Sequence, residues 1–208
     1  LRFNDGDLTV SILEEQDGVR VSNESRVNTT TESAQMQPSV AALAGGGYVT
    51  AWTGQTDGSS YGIFGQRFDS GGQPVGQEFI INTYREGMQW TPDVASLDNG
   101  GFIVSWTDID GLDGSSYGVF AQRFDLGGVA TGGQFQINTT TELEQGMPSL
   151  SELSNGDVVV TWADRSEGGY NVMGRVFDSG GTPLAEEFRI NANLSDHNYS
   201  HHQNPSVT

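Results

Sequence analysis

A phrase of sixteen residues occurs twice in this chain of 208 residues and constrains the fold more than any other feature. Residues 57–72 read DGSSYGIFGQRFDSGG and residues 113–128 read DGSSYGVFAQRFDLGG, with three differences. Other landmarks recur in the same register, namely Pro38, Pro92, Pro148 and Pro205, Trp52, Trp106 and Trp162, and Asn28, Asn82, Asn138 and Asn191. A period of about 55 residues that several landmarks share predicts a repeat architecture.

Each repeat unit reads as four short strands separated by glycine-rich turns. In the first unit these are PSVAAL at 38–43, then YVTAW, then YGIFGQRF, then the segment that ends in FIIN. The runs are rich in β-branched and aromatic residues and are bounded by glycine, asparagine and aspartate, which is typical of strands and turns. A low apolar content of 35% together with 29 glycines also favours strands over packed helices.

The second strand of the third unit, with Val158, Val159 and Val160 side by side, is apolar on both faces, as expected when sheets stack. We therefore predict an all-β fold, a four-bladed β-propeller in one domain, with repeats at 38–91, 92–147 and 148–204. Residues 3–13 resemble 153–163 and read as a first turn plus second strand. With residues 205–208 as a first strand, they would form a shared blade, 1–28 plus 205–208, that closes the ring. A β-sandwich repeat array and a fragment of a longer propeller are the alternatives.

Composition excludes several classes of function. The net charge of −18 repels nucleic acid and anionic membranes, and no apolar run is long enough to insert into a membrane. The absence of cysteine excludes disulfides and thiolate metal sites. Histidine occurs in a single loop and no G-x-S-x-G motif is present, so catalysis has weak support.

The stretch from QPSVAALAGGGYVTAW to DGSSYGIFGQRFDSGGQPVGQEFIIN resembles repeats of large secreted or surface bacterial proteins of the RTX adhesin type, over residues 27–191. The resemblance implies a location outside the cell, secreted or on the cell surface, and an adhesive or binding role. The G-G-x-G-x-D nonapeptides that bind calcium in such proteins do not occur in this sequence.

The longer and more variable loops, between the second and third strands and between units, are where binding is expected on a rigid scaffold. Closely spaced carboxylates on such loops suit Ca²⁺, which takes six to eight oxygen ligands. Aspartates that bond backbone amides in Asx turns are the alternative. The calcium candidates are Asp108, Asp110 and Asp113, with weaker support for Asp57, Asp164 and Glu167.

Two further groups of residues are candidates for binding. His197, His201 and His202 lie in one loop and could bind Zn²⁺ or another transition metal, or be plain solvated residues. Trp90, Tyr84 and Tyr117 are candidates for stacking on a sugar ring, with packing between blades as the alternative.

From these observations the first prediction is a non-enzymatic extracellular binding or adhesion module, assisted by calcium, that recognises a glycan or a surface protein. A structural spacer or assembly subunit and a polysaccharide-active enzyme are the alternatives. The carboxylates keep the enzyme alternative open, because a pair of them can hydrolyse glycosidic bonds.

Overall fold

The computed structural model of the protein describes residues 2–4, 7–16, 19–31, 33–55, 60–165 and 170–191. All regular structure in these residues is β. The strands are β1 (Arg2–Asn4), β2 (Asp7–Gln16), β3 (Val19–Arg26), β4 (Gln35–Ala42), β5 (Tyr48–Gln55), β6 (Tyr61–Phe68), β7 (Pro74–Ile80), β8 (Gln89–Ser96), β9 (Phe102–Asp108), β10 (Gly118–Phe124), β11 (Ala130–Gln136), β12 (Gln145–Glu152), β13 (Val158–Asp164), β14 (Asn171–Phe177) and β15 (Phe188–Arg189). No helix in these ranges is long and apolar enough to cross a membrane.

The strands form four antiparallel sheets that follow the repeat. Sheet 1 contains β4–β7, sheet 2 contains β8–β11 and sheet 3 contains β12–β15, each with its strands in sequence order. Within the described ranges, the N-terminal sheet has three strands, in the order β1-β2-β3. The prediction of an all-β fold built from four-stranded units is therefore confirmed.

Consecutive sheets pack face to face, with β4, β8 and β12 in contact along the series. Between sheets 1 and 2, the core joins Val49 and Ile63 on one side to Phe102 and Trp106 on the other. Equivalent residues pack sheet 2 on sheet 3, with Trp162 as the matching tryptophan. This stacking explains why the second strands are apolar on both faces.

The strands of the N-terminal sheet correspond to different strands of the repeat unit from those predicted. Leu8 N donates to Asn28 Oδ1, as Ile63 N donates to Asn82 Oδ1 in sheet 1. Compared with the four strands of a repeat unit, β2 therefore corresponds to the third strand and β3 to the fourth. The short β1 corresponds to the end of the second strand. The assignment of 3–13 as a first turn plus second strand was wrong, because asparagine, aspartate and glycine mark tight turns at either end of a strand.

Each first strand begins three residues before its proline and contains a bulge there. The register with the second strand shifts between Met36 and Ser39, and the bulge recurs in sheets 2 and 3. The residue before each proline has a positive φ, with values of 52° at Gln37, 51° at Thr91 and 55° at Met147. The three residues before each proline therefore belong to the first strand, and the first of them is a glutamine in every sheet.

Candidate functional site

The loop face is the end of the sheets that carries the longer connections, including residues 82–88, 109–117 and 138–144. A buried asparagine anchors each connection between sheets. Asn82 Oδ1 accepts Ile63 N at 2.7 Å while its Nδ2 donates to Tyr84 O at 2.6 Å, and Asn138 bonds Val119 N in the same way at 2.8 Å. These bonds satisfy backbone groups that water would otherwise have to reach, so the loops leave the sheets in fixed directions.

Glu86, Asp108 and Asp110 form an acidic cluster near Tyr84 on the loop face of sheet 2. The hydroxyl donates to Glu86 Oε2 at 3.4 Å, and Met88 N donates to Asp110 Oδ2. Desolvation and the nearby negative charges of Glu86, Asp108 and Asp110 raise the pKa of Tyr84. Loop 82–88 thus contacts two carboxylates, that of Glu86 through the Tyr84 hydroxyl and that of Asp110 through Met88 N.

Asp108 is the buried member of this cluster, with a relative exposure of 0%. Its Oδ1 accepts the backbone N–H groups of Asp110 at 3.3 Å and Leu112 at 3.1 Å. Its Oδ2 accepts Gln89 Nε2 at 3.0 Å. Each oxygen therefore has a partner, as a buried carboxylate requires.

The carboxylates predicted to bind calcium make bonds typical of Asx turns. Asp113 Oδ1 accepts Ser115 N at 3.0 Å and its Oδ2 lies 3.5 Å from Asn138 Nδ2. Across the described ranges, no group of three or more acidic or histidine side chains is arranged to hold a metal ion. The calcium site at Asp108, Asp110 and Asp113 stays a prediction, and calcium titration of the wild type against Asp110→Ala tests it.

A second polar group lies on the loop face of sheet 3. Arg165 Nη1 contacts the two carboxylate oxygens of Glu144 at 3.1 and 3.2 Å, and Tyr170 Oη lies 3.5 Å from Glu144 Oε2. Asp164 is buried and pairs in register with Gln145. This group has the same elements as the acidic cluster, but an arginine compensates its exposed carboxylate.

The three aromatic candidates have different settings on the loop face. Trp90 follows Gln89 on β8 and packs against Tyr61, with ring centroids 5.1 Å apart and the planes tilted by 50°. Tyr84 is part of the cluster, and Tyr117 forms an isolated bridge with Glu144. Trp90, Tyr84 and Tyr117 are all half-buried, so each has a surface left for contact with a ligand.

The remaining candidates, Asp57, Glu167, His197, His201 and His202, lie outside the described residues, and their metal sites stay predictions. Sequence reasoning missed the buried glutamines Gln35, Gln89 and Gln145, as well as Glu86 and Glu144. The signal for the glutamines was present, since each stands three residues before a repeated proline.

The opposite end of the sheets is uniform by comparison. Asp69 Oδ1 accepts Gly71 N and Gln73 N at 2.9 and 2.8 Å, and Asp178 makes the equivalent bonds in sheet 3. Arg67 Nη1 donates to Gly127 O in the next sheet at 2.7 Å. The repeated Gln-Arg-Phe-Asp phrase is thus a turn cap and a link between sheets, and the variable chemistry is on the loop face.

Comparison with known proteins gives matches among solved structures alone: no family model and no curated protein matches the chain. The chain is similar to an α-L-arabinofuranosidase of Fusarium graminearum, solved with an iminosugar inhibitor (TM-score 0.62, 15% identity, 89% of this chain and 59% of that one). It is also similar to a Penicillium chrysogenum α-L-arabinanase complexed with arabinobiose (0.61, 17%, 88% and 59%). A third is an endo-arabinase of Bacteroides thetaiotaomicron VPI-5482 (0.56, 16%, 90% and 75%).

These arabinan-active proteins are β-propellers, so the comparison supports the propeller arrangement over a β-sandwich array. The chain spans about three fifths of the Fusarium and Penicillium proteins and three quarters of the Bacteroides one. The prediction of a non-enzymatic adhesion module is wrong, because these neighbours are enzymes that act on carbohydrate. The comparison does not test the predicted calcium site. The acid-rich loops fitted either function, and the sequence could not choose between them.

Proposed function

We propose that the protein is a polysaccharide-active enzyme that hydrolyses glycosidic bonds from its loop face. The observation that carries the proposal is that loop 82–88 contacts two exposed carboxylates, Glu86 through Tyr84 Oη and Asp110 through Met88 N, with the half-buried Trp90 two residues farther along the chain. Glycoside hydrolysis needs two carboxyl groups on either side of the scissile bond and a flat apolar surface for the sugar. The similarity to arabinan-active enzymes supports the same class of reaction.

Glu86 and Asp110 are the carboxylates that we assign to the reaction. Both are exposed, whereas Asp108 is buried and fully hydrogen-bonded. One carboxyl group protonates the leaving oxygen, and the other takes the proton of the attacking water or forms the glycosyl intermediate. Each sits on its own loop, and we assign them to the two sides of the scissile bond.

We expect the substrate to be an uncharged polysaccharide. The net charge of −18 and the carboxylates of the site repel a polymer of uronic acids. Arabinan is the first probe, because the similar Penicillium enzyme is complexed with arabinobiose. Location outside the cell remains part of the proposal, since a polysaccharide is met there.

The test is release of reducing ends from arabinan, from a second neutral polysaccharide and from polygalacturonate. We expect turnover of a neutral polymer by the wild type and a loss of at least about a hundredfold in Glu86→Gln and in Asp110→Asn. Glu186→Gln, an exposed glutamate outside the cluster, is the matched control and keeps full activity. Equal activity in all four proteins, or turnover of the acidic polymer alone, contradicts the assignment.

The closed four-bladed ring also belongs to the proposal. The N-terminal sheet corresponds to the second, third and fourth strands of a unit, and the described residues supply no first strand for it. Residues 205–208, which lie outside the described residues, repeat the Pro-Ser-Val sequence of 38–40. If they supply that strand, deleting residues 204–208 lowers the melting temperature; an unchanged melting temperature favours a fragment of a longer propeller.

A further inference from the structure

The three repeated glutamines do not make the same bonds, although all are buried and all hold the same place in their strands. In sheet 1, Gln35 Oε1 accepts Trp52 Nε1 at 2.7 Å. In sheets 2 and 3 the equivalent indole nitrogens of Trp106 and Trp162 are buried and have no hydrogen-bond partner among the described residues. Two of the three sheets therefore lack a bond that the third one makes.

The residue opposite each glutamine explains the difference. Gln35 pairs in register with Gly54, and a Cβ at Gly54 would lie 2.5 Å from Gln35 Oε1. The glutamine can therefore reach the tryptophan when glycine is opposite. Sheets 2 and 3 have aspartate there, Asp108 and Asp164, whose Cβ atoms exclude that position of the glutamine.

In sheet 2 the displaced glutamine connects the two loops that carry the acidic cluster. Gln89 Nε2 donates to Glu86 O at 2.9 Å and to Asp108 Oδ2 at 3.0 Å, and its Oε1 accepts Asn82 Nδ2 at 3.0 Å. Asp108 in turn holds the backbone N–H of Asp110. A continuous set of hydrogen bonds thus runs from the backbone of Glu86 to that of Asp110.

We propose that Gln89 and Asp108 are positioning residues that fix the distance between the carboxylates of Glu86 and Asp110. This inference rests on the proposed function for its catalytic consequence. A buried donor without a partner destabilises a fold, and such departures from local optimum are expected at functional sites. In sheet 2 the unpartnered indole N–H of Trp106 is the destabilising group. The proposed compensation is the ordering of the two loops by Gln89 and Asp108.

Sheet 3 provides a matched control. Gln145 is equally buried, faces Asp164 and donates to Glu142 O at 2.6 Å, but it does not contact the acidic cluster. We compare Gln89→Met with Gln145→Met on arabinan. We expect kcat to fall about tenfold or more in Gln89→Met with a smaller change in KM, since misplaced groups lower turnover, and we expect Gln145→Met to keep its kcat.

Amide hydrogen exchange supplies a readout that needs no activity. We expect faster exchange in peptides that cover Glu86–Met88 and Asp110–Leu112 in Gln89→Met, and no change there in Gln145→Met. If Gln89→Met does not fold, Asp108→Gly takes its place with Asp164→Gly as control, because sheet 1 accommodates glycine at this position.

The outcomes separate the two proposals. Faster loop exchange in a protein without glycosidase activity supports the positioning role and rejects the hydrolase. Equal losses of kcat in the sheet 2 and sheet 3 variants, or unchanged loop exchange in Gln89→Met, overturn the positioning role.

Discussion

Gly87 offers the sharpest test of the acidic cluster, because its Cα lies against Asp110. Its φ is 74°, and a Cβ added there would lie 2.4 Å from Asp110 Cβ and 2.5 Å from Asp110 Oδ2. Gly76 on β7 is the matched control, with a φ of 75° and no atom within 4 Å of an added Cβ. Gly87→Ala and Gly76→Ala therefore share the backbone term and differ only in the contact.

The expected difference follows from the contact. An alanine in the left-handed region costs about 1–2 kcal/mol at either position, and this cost cancels between the variants. Gly87→Ala must also displace Asp110, which breaks the bond from Met88 N to its carboxylate. A hydrogen bond to a charged group contributes about 1.5–3 kcal/mol. Because Asp110 is exposed, solvent reduces this to about 1–2 kcal/mol.

Urea unfolding of the two variants measures the difference directly. We expect Gly87→Ala to be less stable than Gly76→Ala by about 1–2 kcal/mol, which is roughly 3–6 °C in melting temperature for a chain of this size. Hydrolysis of arabinan is expected to fall in Gly87→Ala alone, since Asp110 moves. Equal stability and equal activity in the two variants would show that Asp110 is not held against this loop.

Two further predictions concern individual side-chain hydrogen bonds. Trp52→Phe loses its bond to Gln35, so it should cost about 1 kcal/mol more than Trp106→Phe, whose indole nitrogen has no described partner; urea unfolding of both variants measures this. Desolvation opposes ionisation of Glu187, but its bonds to the Thr139 and Thr140 loop outweigh it and lower the pKa of Glu187 below its usual 4.5. The stabilisation is therefore present above pH 4.5 and lost as the pH falls through the lowered pKa, so acid unfolding should be less steep in Glu187→Gln than in the wild type.

The repeat and its strands were accessible from the sequence because they depend on side chains that every unit needs. A tryptophan in the second strand and phenylalanines in the third fill the same space between each pair of sheets. The sequence did not reveal which strands of the repeat unit form the N-terminal sheet. Its landmark is the bond between Leu8 and Asn28, 20 residues apart, whereas the turn residues around it suit several positions in the repeat.

The interpretation of Asp108 from the sequence depended on where the second strand of its unit was taken to end. Read as part of a polar loop, Asp108 is a candidate metal ligand; in the structure it is the last residue of β9. Side chains two apart in a strand point to the same face, so Asp108 follows Trp106 into the interior. Asp164 likewise lies two residues after Trp162 on the second strand of sheet 3, and it is also buried.

Gly54, Asp108 and Asp164 form a natural substitution series within one chain. Where the residue is glycine, the core keeps its bond between tryptophan and glutamine; where it is aspartate, the core loses that bond. Sheet 1 shows that the scaffold accepts glycine at this position and that the bond between tryptophan and glutamine then forms. In sheet 2 the aspartate instead orders the loops that carry Glu86 and Asp110. The lost core hydrogen bond in sheet 2 is what the proposed positioning role of Asp108 predicts.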